Sequence, residues 1–311
     1  MKQSEAGFTL IEMVVATAIA AVVGTTLMLM LRRQERFYSS SAQMLEVRAQ
    51  LRDGGDVLTS DIRGAAIERY GLPVLTDTAV EFFSTIGSSV VCETPVGQTL
   101  FLPPDTLSSG AILTSLLATP DTGDIALIYA MRGGVPDSAQ WVDARIAAFS
   151  TRSLSTSCSP SSGFVSSADV AAGERGYALT LTPNVPTGIR KGAPVRFLRR
   201  GRYSLYVSSG EWYLGYRRCN AVGSSSCGTI QPVSGPYLAY RGQQVPGAGL
   251  AFHYFDATGA EVTDQGSSRL VSRVDIVLRG ETAREVALSG DARVRYRDSA
   301  VVSVSPRNRT R

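Results

Sequence analysis

One carboxylate stands where a carboxylate is costly. Glu12 interrupts the run FTLIEMVVATAIAAVVGTTLMLML at residues 8–31, which is otherwise free of charge. A comparable Asp at the centre of a membrane helix costs about 2.5–3.5 kcal/mol on an insertion scale, so an intramembrane acid implies a partner and a role. The other chemically capable residues are few. There is a single histidine, His253, and cysteines stand at 92, 158, 219 and 227 with no C-x-x-C spacing. That set lacks the ligand pattern of a zinc site. No G-x-S-x-G elbow, Walker loop, H-E-x-x-H pair or dinucleotide glycine pattern occurs, and Gly247-Ala248-Gly249 lacks the third glycine and reads as a loop. The chain is therefore expected not to be an enzyme and to need no cofactor or metal. Asp256, Glu261 and Asp264, and the pair Asp121 and Asp124, lack the EF-hand ligand order; they read as turn formers rather than calcium ligands. His253 lies in Ala-Phe-His-Tyr-Phe, where alternation sends Phe252 and Tyr254 to one face and His253 and Phe255 to the other. With no partner evident, it reads as structural. Trp212, Tyr213 and Tyr216 form an aromatic cluster whose default is core packing and cross-strand pairing, with a partner surface as the alternative.

The element that must hold Glu12 is a helix. A run of 24 residues spans about 36 Å, against a hydrocarbon core of about 30 Å. A cleaved secretory signal would use an unbroken apolar stretch with a cut at Ala16-Thr17-Ala18 or Ala18-Ile19-Ala20, and Glu12 speaks against it. A plain signal anchor leaves Glu12 unexplained. Arg32, Arg33 and Arg36 follow the run while only Lys2 precedes it, so the positive-inside rule alone would place the body in the cytoplasm.

Gly7-Phe8-Thr9-Leu10-Ile11-Glu12 resembles the type IV prepilin signature: a short polar leader ending in Gly, then Phe, three largely apolar positions and Glu. The resemblance implies a leader Met1–Gly7, cleavage between Gly7 and Phe8 by a prepilin peptidase, and N-methylation of Phe8. It also implies a body outside the cytoplasm, against the arginine count. Cleavage creates an amine with an unperturbed pKa of about 7.7–8, and that amine on one subunit is the natural partner for Glu12 of its neighbour. Lateral assembly would then be favoured over dispersal in lipid.

Beyond the apolar run, Met44, Val47, Leu51, Leu58, Ile62 and Ala65 lie on one stripe of an amphipathic helix, with Glu46, Arg48, Arg52 and Asp61 largely off it. The spacing predicts helix over 32–70, ended by Gly71 and Pro73, with Gly54-Gly55 a kink or a close helix–sheet contact. From 71 to 311 the pattern is strand-like: 79–84, 124–130, 141–149, 177–182, 194–199, 202–208, 211–218, 250–256 and 271–279. Pro-Asp-Thr-Gly (120–123), Ser-Ser-Gly (208–210) and Asp-Ala-Thr-Gly (256–259) read as turns between strands. The expected fold is α+β: a long N-terminal helix, membrane half plus amphipathic half, packed on an antiparallel β-rich head.

A second, more diffuse resemblance lies in the head. PVRFLRRGRYSLYVSSGEWYLGYRR (194–218), GLAFHYFDATG (249–259) and SRVDIVLRG (272–280) look like the J-type pseudopilins of type II secretion and the W-type minor pilins. The ending VVSVSPRN (301–308) resembles the W-type close, with Ser305-Pro306 where a leucine is more usual. Residues 85–170 match no pattern. The resemblance implies a minor subunit near the tip of a type IV pilus or secretion pseudopilus, because so bulky a head would crowd a filament at every step. Its implied partners are other pilin or pseudopilin subunits, the prepilin peptidase and an inner-membrane assembly platform. The implied location is the inner membrane, single-pass with an extracytoplasmic head, and then the filament. A membrane-anchored binding protein, or a tip adhesin with 85–170 as a binding insertion, is the alternative.

An extracytoplasmic head favours disulfides over buried thiols. Four cysteines allow three pairings; Cys219 and Cys227 close the Gly/Ser-rich loop NAVGSSS, which leaves Cys92 for Cys158. The 31 Lys+Arg against 27 Asp+Glu give +4, but the arginines are scattered among acids without an aromatic-interleaved stripe. Composition therefore gives no argument for nucleic-acid binding.

Overall fold

The computed structural model describes residues 9–131, 139–219, 227–241, 249–287 and 292–306. One helix dominates: α1, Leu10–Arg63, 54 residues long, or about 80 Å at ~1.5 Å rise per residue. Its first half is exposed on every side. Its second half carries the predicted stripe, with Val47, Leu51, Leu58 and Ile62 buried and Arg48 and Arg52 facing out. The helix expected to reach Tyr70 instead breaks at Gly64. Ala65 forms a bridge with Ser84, and the Ala66 amide donates to the Phe83 carbonyl at 2.8 Å. Backbone captured by a strand cannot also serve the helical ladder, so only one turn, α2 (Ile67–Tyr70), re-forms before Gly71 at φ 66°.

Fifteen strands follow among the described residues: β1 (Val74–Leu75), β2 (Ala79–Val90), β3 (Thr99–Leu102), β4 (Ser115–Leu116), β5 (Ile125–Met131), β6 (Ala139–Ser153), β7 (Arg175–Thr182), β8 (Pro194–Ser208), β9 (Glu211–Arg218), β10 (Gln231–Tyr237), β11 (Leu250–Phe255), β12 (Arg273–Glu281), β13 (Val286–Ala287), β14 (Arg293–Val294) and β15 (Arg297–Val304). Two short helices, α3 (Leu154–Ser157) and α4 (Ser167–Ala171), interrupt them. All pairings are antiparallel. The spine is β2 against β8. The two strands predicted at 194–199 and 202–208 are one, because Arg200 and Gly201 stay in register with Phe83 and Phe82. The first part of β8 also pairs β5, which leads through β6 and β7 to β3; its second part pairs β9, which leads to β10. The β8–β9 hairpin turns at Ser209 (φ 51°) and Gly210 (φ 83°), the positive-φ pair that a two-residue turn requires. A separate sheet runs β11–β12–β15.

Two cores lie on this frame. In the first, the α1 stripe packs with Phe82, Tyr203, Leu214, Phe252, Ile276 and Leu278. The second is built from Leu100, Leu102, Ile128, Ile146 and Leu179 with Ile86, Val195 and Phe197 of the spine. A bulge marks the change of core: Thr85 opposes Leu198 and Gly87 opposes Phe197, leaving Ile86 unpaired. The carbonyl freed by the bulge accepts from the amides of Leu117 and Ala118 at 2.9 and 3.2 Å.

Candidate functional site

Thr9 caps α1. Its hydroxyl accepts from the Glu12 amide at 3.3 Å, while the Thr9 amide and hydroxyl donate to Glu12 Oε2 at 3.1 and 3.0 Å. This is a reciprocal capping box, and its Thr-x-x-Glu spacing was legible in the sequence. It gives Glu12 a partner that the signature alone did not suggest, and it places the carboxylate against the positive end of the helix dipole. The rest of the exposed segment suits an apolar surrounding. Thr17, Thr25 and Thr26 turn their hydroxyls back to the carbonyls of Met13, Val22 and Val23 at 2.8–2.9 Å, leaving no donor unsatisfied there. Leu10, Ile11, Met13, Ile19, Val22 and Leu31 all stand open. α1 is long and apolar enough to cross a membrane. Gly7 and Phe8, the expected cleavage pair, and the leader lie outside the described residues.

Both expected disulfides form. Cys92 joins Cys158 with Cα atoms 5.6 Å apart, and Cys219 joins Cys227 at 3.9 Å. The first is fully buried with Leu107, Leu154 and Val165 in a satellite cluster. The second brings two sulfurs near Glu81, but sulfurs bonded to each other are not thiolate ligands, so this grouping is not a metal centre.

Of the carboxylates read as turn formers, Glu261 turns to a side chain, His253, while the aspartates bind backbone. Asp256 Oδ1 accepts from the amides of Thr258 and Ala260 at 2.8 and 3.0 Å, and Asp264 caps a short 3₁₀ turn through the amides of Gly266 and Ser267. Asp121 and Asp124 do more than that. Asp124, 1% exposed, takes Arg199 Nη2 at 2.7 Å and Arg218 Nη2 at 3.1 Å, and Asp121 takes Arg218 Nη1 at 2.8 Å. A second buried pair joins Glu81 to Arg200. Sequence could not find these pairs, since the partners lie 75–119 positions apart. His253 does have a partner, contrary to the sequence reading: its Nδ1 lies 3.1 Å from Glu261 Oε1 across the turn. Phe252 and Tyr254 are buried on the opposite face, as alternation required. Tyr216 packs on Tyr203 and Tyr213 on Tyr206, with centroids 5.1 and 5.9 Å apart, and Trp212 stands opposite Tyr237. The aromatic cluster is cross-strand packing.

Residues 2–28 match the family described as the prokaryotic N-terminal methylation motif. No curated protein and no solved structure matches the chain. The match takes in Gly7, Phe8, Glu12 and the exposed part of α1 as far as Met28. The chain thus joins a methylation motif to a helix of membrane-crossing length and an α+β head of pilin-like architecture.

Proposed function

We propose that the chain is a minor pilin or pseudopilin, stored in the inner membrane and assembled near the tip of a type IV pilus or type II secretion pseudopilus. The observation that carries this reading is the division of α1. The second half buries one stripe against the head; the first is wholly exposed, and as far as Leu31 it is apolar and charged only at Glu12, which lies within the matched methylation motif. An exposed apolar half of that length demands lipid or other helices. In this reading a prepilin peptidase removes Met1–Gly7 and methylates Phe8, and the new amine pairs with Glu12 of a neighbouring subunit. The head lies outside the cytoplasm, a location that the two disulfides support. Its role is structural, and it works with the assembly platform and other subunits rather than as an enzyme.

N-terminal mass analysis with and without a prepilin peptidase tests this. A chain beginning at N-methylated Phe8 only when the peptidase is present is the expected result. An intact Met1, or a start near Ile19 or Ala21, would overturn it.

A second reading, a tip adhesin with 85–170 as a binding insertion, draws on the second core, most of whose members lie within residues 91–193. Glycan or surface binding by the head would support it, and its absence across a glycan panel would remove it.

A further inference from the structure

Arg202 and Arg217 stand directly opposite each other on β8 and β9. Their side chains share the sheet face that points away from α1, with Arg200 on the same strand face and Glu81 across on β2. Like charges directly opposed across a ladder destabilise it, and natural sheets usually set an acid there. The one acid available, Glu81, turns to Arg200, and its other oxygen lies 3.8 Å from the Cys219 sulfur. Among the described residues neither the Arg202 nor the Arg217 guanidinium has an ion pair, and the Nε of each is shut off from solvent without a hydrogen-bond partner. The neighbouring loop 220–226, NAVGSSS, contains no acid. Both arginines are half-buried. Three arginines against one glutamate leave this small patch with an excess of two positive charges, half of the whole chain's +4.

We infer that Arg202 and Arg217 form a binding site for an oxyanion, a carboxylate or a phosphate, held between two guanidinium groups. Guanidinium forks match the paired oxygens of both groups. The β9 strand is anchored beside the site by the Cys219–Cys227 disulfide, which pre-orders the second arginine and lowers the ordering cost of binding. Because α1 covers the other face, the site stays open whether α1 lies in lipid or against other helices. The inference therefore stands apart from the filament reading.

The test uses the full chain in neutral detergent, titrated with sodium phosphate and with sodium acetate at ionic strength held constant by sodium chloride. Thermal midpoint and the arginine Nε–H resonances are followed. Expected are a saturable rise in midpoint and shifts confined to the resonances of Arg202, Arg217 and Arg200. Binding should weaken at least tenfold in Arg202→Gln and in Arg217→Gln, and less in Arg217→Lys, which keeps the charge without the fork. In chloride alone each Gln variant should melt no lower than the parent, since one of two opposed charges is gone. A response to phosphate but not acetate would assign the site to phosphate, and the reverse to carboxylates; either sustains the inference. Equal responses in the parent and both Gln variants, or no saturable response to either anion, would overturn it. So would a Gln variant markedly less stable in chloride, because the arginines would then be serving the fold.

Discussion

At the scale of single residues, the chain separates carboxylates that position from carboxylates that neutralise. Thr9 and Glu12 hold each other at the start of α1. Glu12→Ala is expected to leave leader cleavage intact and to impair incorporation into filaments, read by immunoblot of sheared filaments; normal incorporation would sink the pairing with a neighbour's amine. A bulky residue in place of Gly7 is expected instead to leave the unprocessed precursor in the membrane. Asp124 neutralises two arginines from a position shut off from water. Its removal strands Arg199 in the interior, so Asp124→Ala is expected to cost about 3–5 kcal/mol in urea unfolding. Several exposed or capping acids are also held below the usual carboxylate range. Asp121 is held down by Arg218, Asp169 by the Ser108 amide and the Ser166 hydroxyl, and Asp298 by Arg48. A depressed carboxyl stabilises the fold above the unfolded value of about 3.9 and loses that contribution as pH falls through the folded value. The urea midpoint is therefore expected to be flat above about pH 5 and to fall steeply below about pH 4. At the alkaline end the sign reverses. Tyr240, hydrogen-bonded to Asp77, is pushed up to about 12, and burial raises Tyr203 and Tyr254. These phenols stabilise the fold below about pH 10, and that contribution is lost as pH climbs towards their folded values. Phenolate absorbance should show them ionising after the exposed tyrosines, together with unfolding.

At the scale of elements, the informative positions are those where two elements meet too closely for a side chain. A Cβ at Gly54 would fall 2.2 Å from the Tyr237 hydroxyl and 2.7 Å from Ser234 Oγ, two groups hydrogen-bonded to each other. At Gly55 it would come to 3.1 Å from Val302. The Gly54-Gly55 pair is thus a close helix–sheet contact, one of the two roles its sequence allowed. Alanine in a helix interior ordinarily gains about 1 kcal/mol over glycine. Gly54→Ala is nonetheless expected to destabilise, by about 1–2 kcal/mol in urea, because overpacking costs about 1–3 kcal/mol and the Ser234–Tyr237 bond is disturbed as well. The disulfides differ in reach. Loop-closure entropy gives about 4 kcal/mol for a separation of 66 and about 2.5 kcal/mol for one of 8. Paired Cys→Ala changes should show that order, with Cys92/Cys158 the larger loss.

At the scale of the molecule, the first core takes nothing from residues 91–193, and the second takes nearly everything from them. β2 and β8 would meet without the insertion, since Val90 already stands opposite Pro194. Replacing 91–193 by a short turn, with Ile86, Val195 and Phe197 changed to Thr to avoid an exposed apolar face, is expected to leave a head that melts cooperatively and keeps its near-UV circular dichroism. Loss of cooperative melting would show that the two cores fold as one. In the proposed filament this division gives a packing lobe on α1 and a second lobe free to carry a different task.

Local pattern by itself determined the exposed apolar run, Glu12 within it, the amphipathic stripe of α1, most of the longer strands and the buried side of His253's strand. The run rests on its length and its single charge, and the others on a period of 3.6 or 2 that a few neighbouring residues reveal. The disulfide pairing also followed, because an eight-residue separation leaves the other two cysteines for each other. The break of α1 at Gly64 did not follow. It depends on β2 capturing Ala65 and Ala66, and the stripe runs unbroken through that point. Nor were β3 and β10 legible: one is four residues long, and the other carries Pro232 and Pro236, which argue against a strand. The pairing of Asp124 with Arg199 and Arg218, and the standing of Arg202 beside Arg217, were decided by the register of β8 against its neighbours. Sequence could show only that the arginines were many and scattered; ladder pairing between distant strands is what sets some against acids and leaves two against each other.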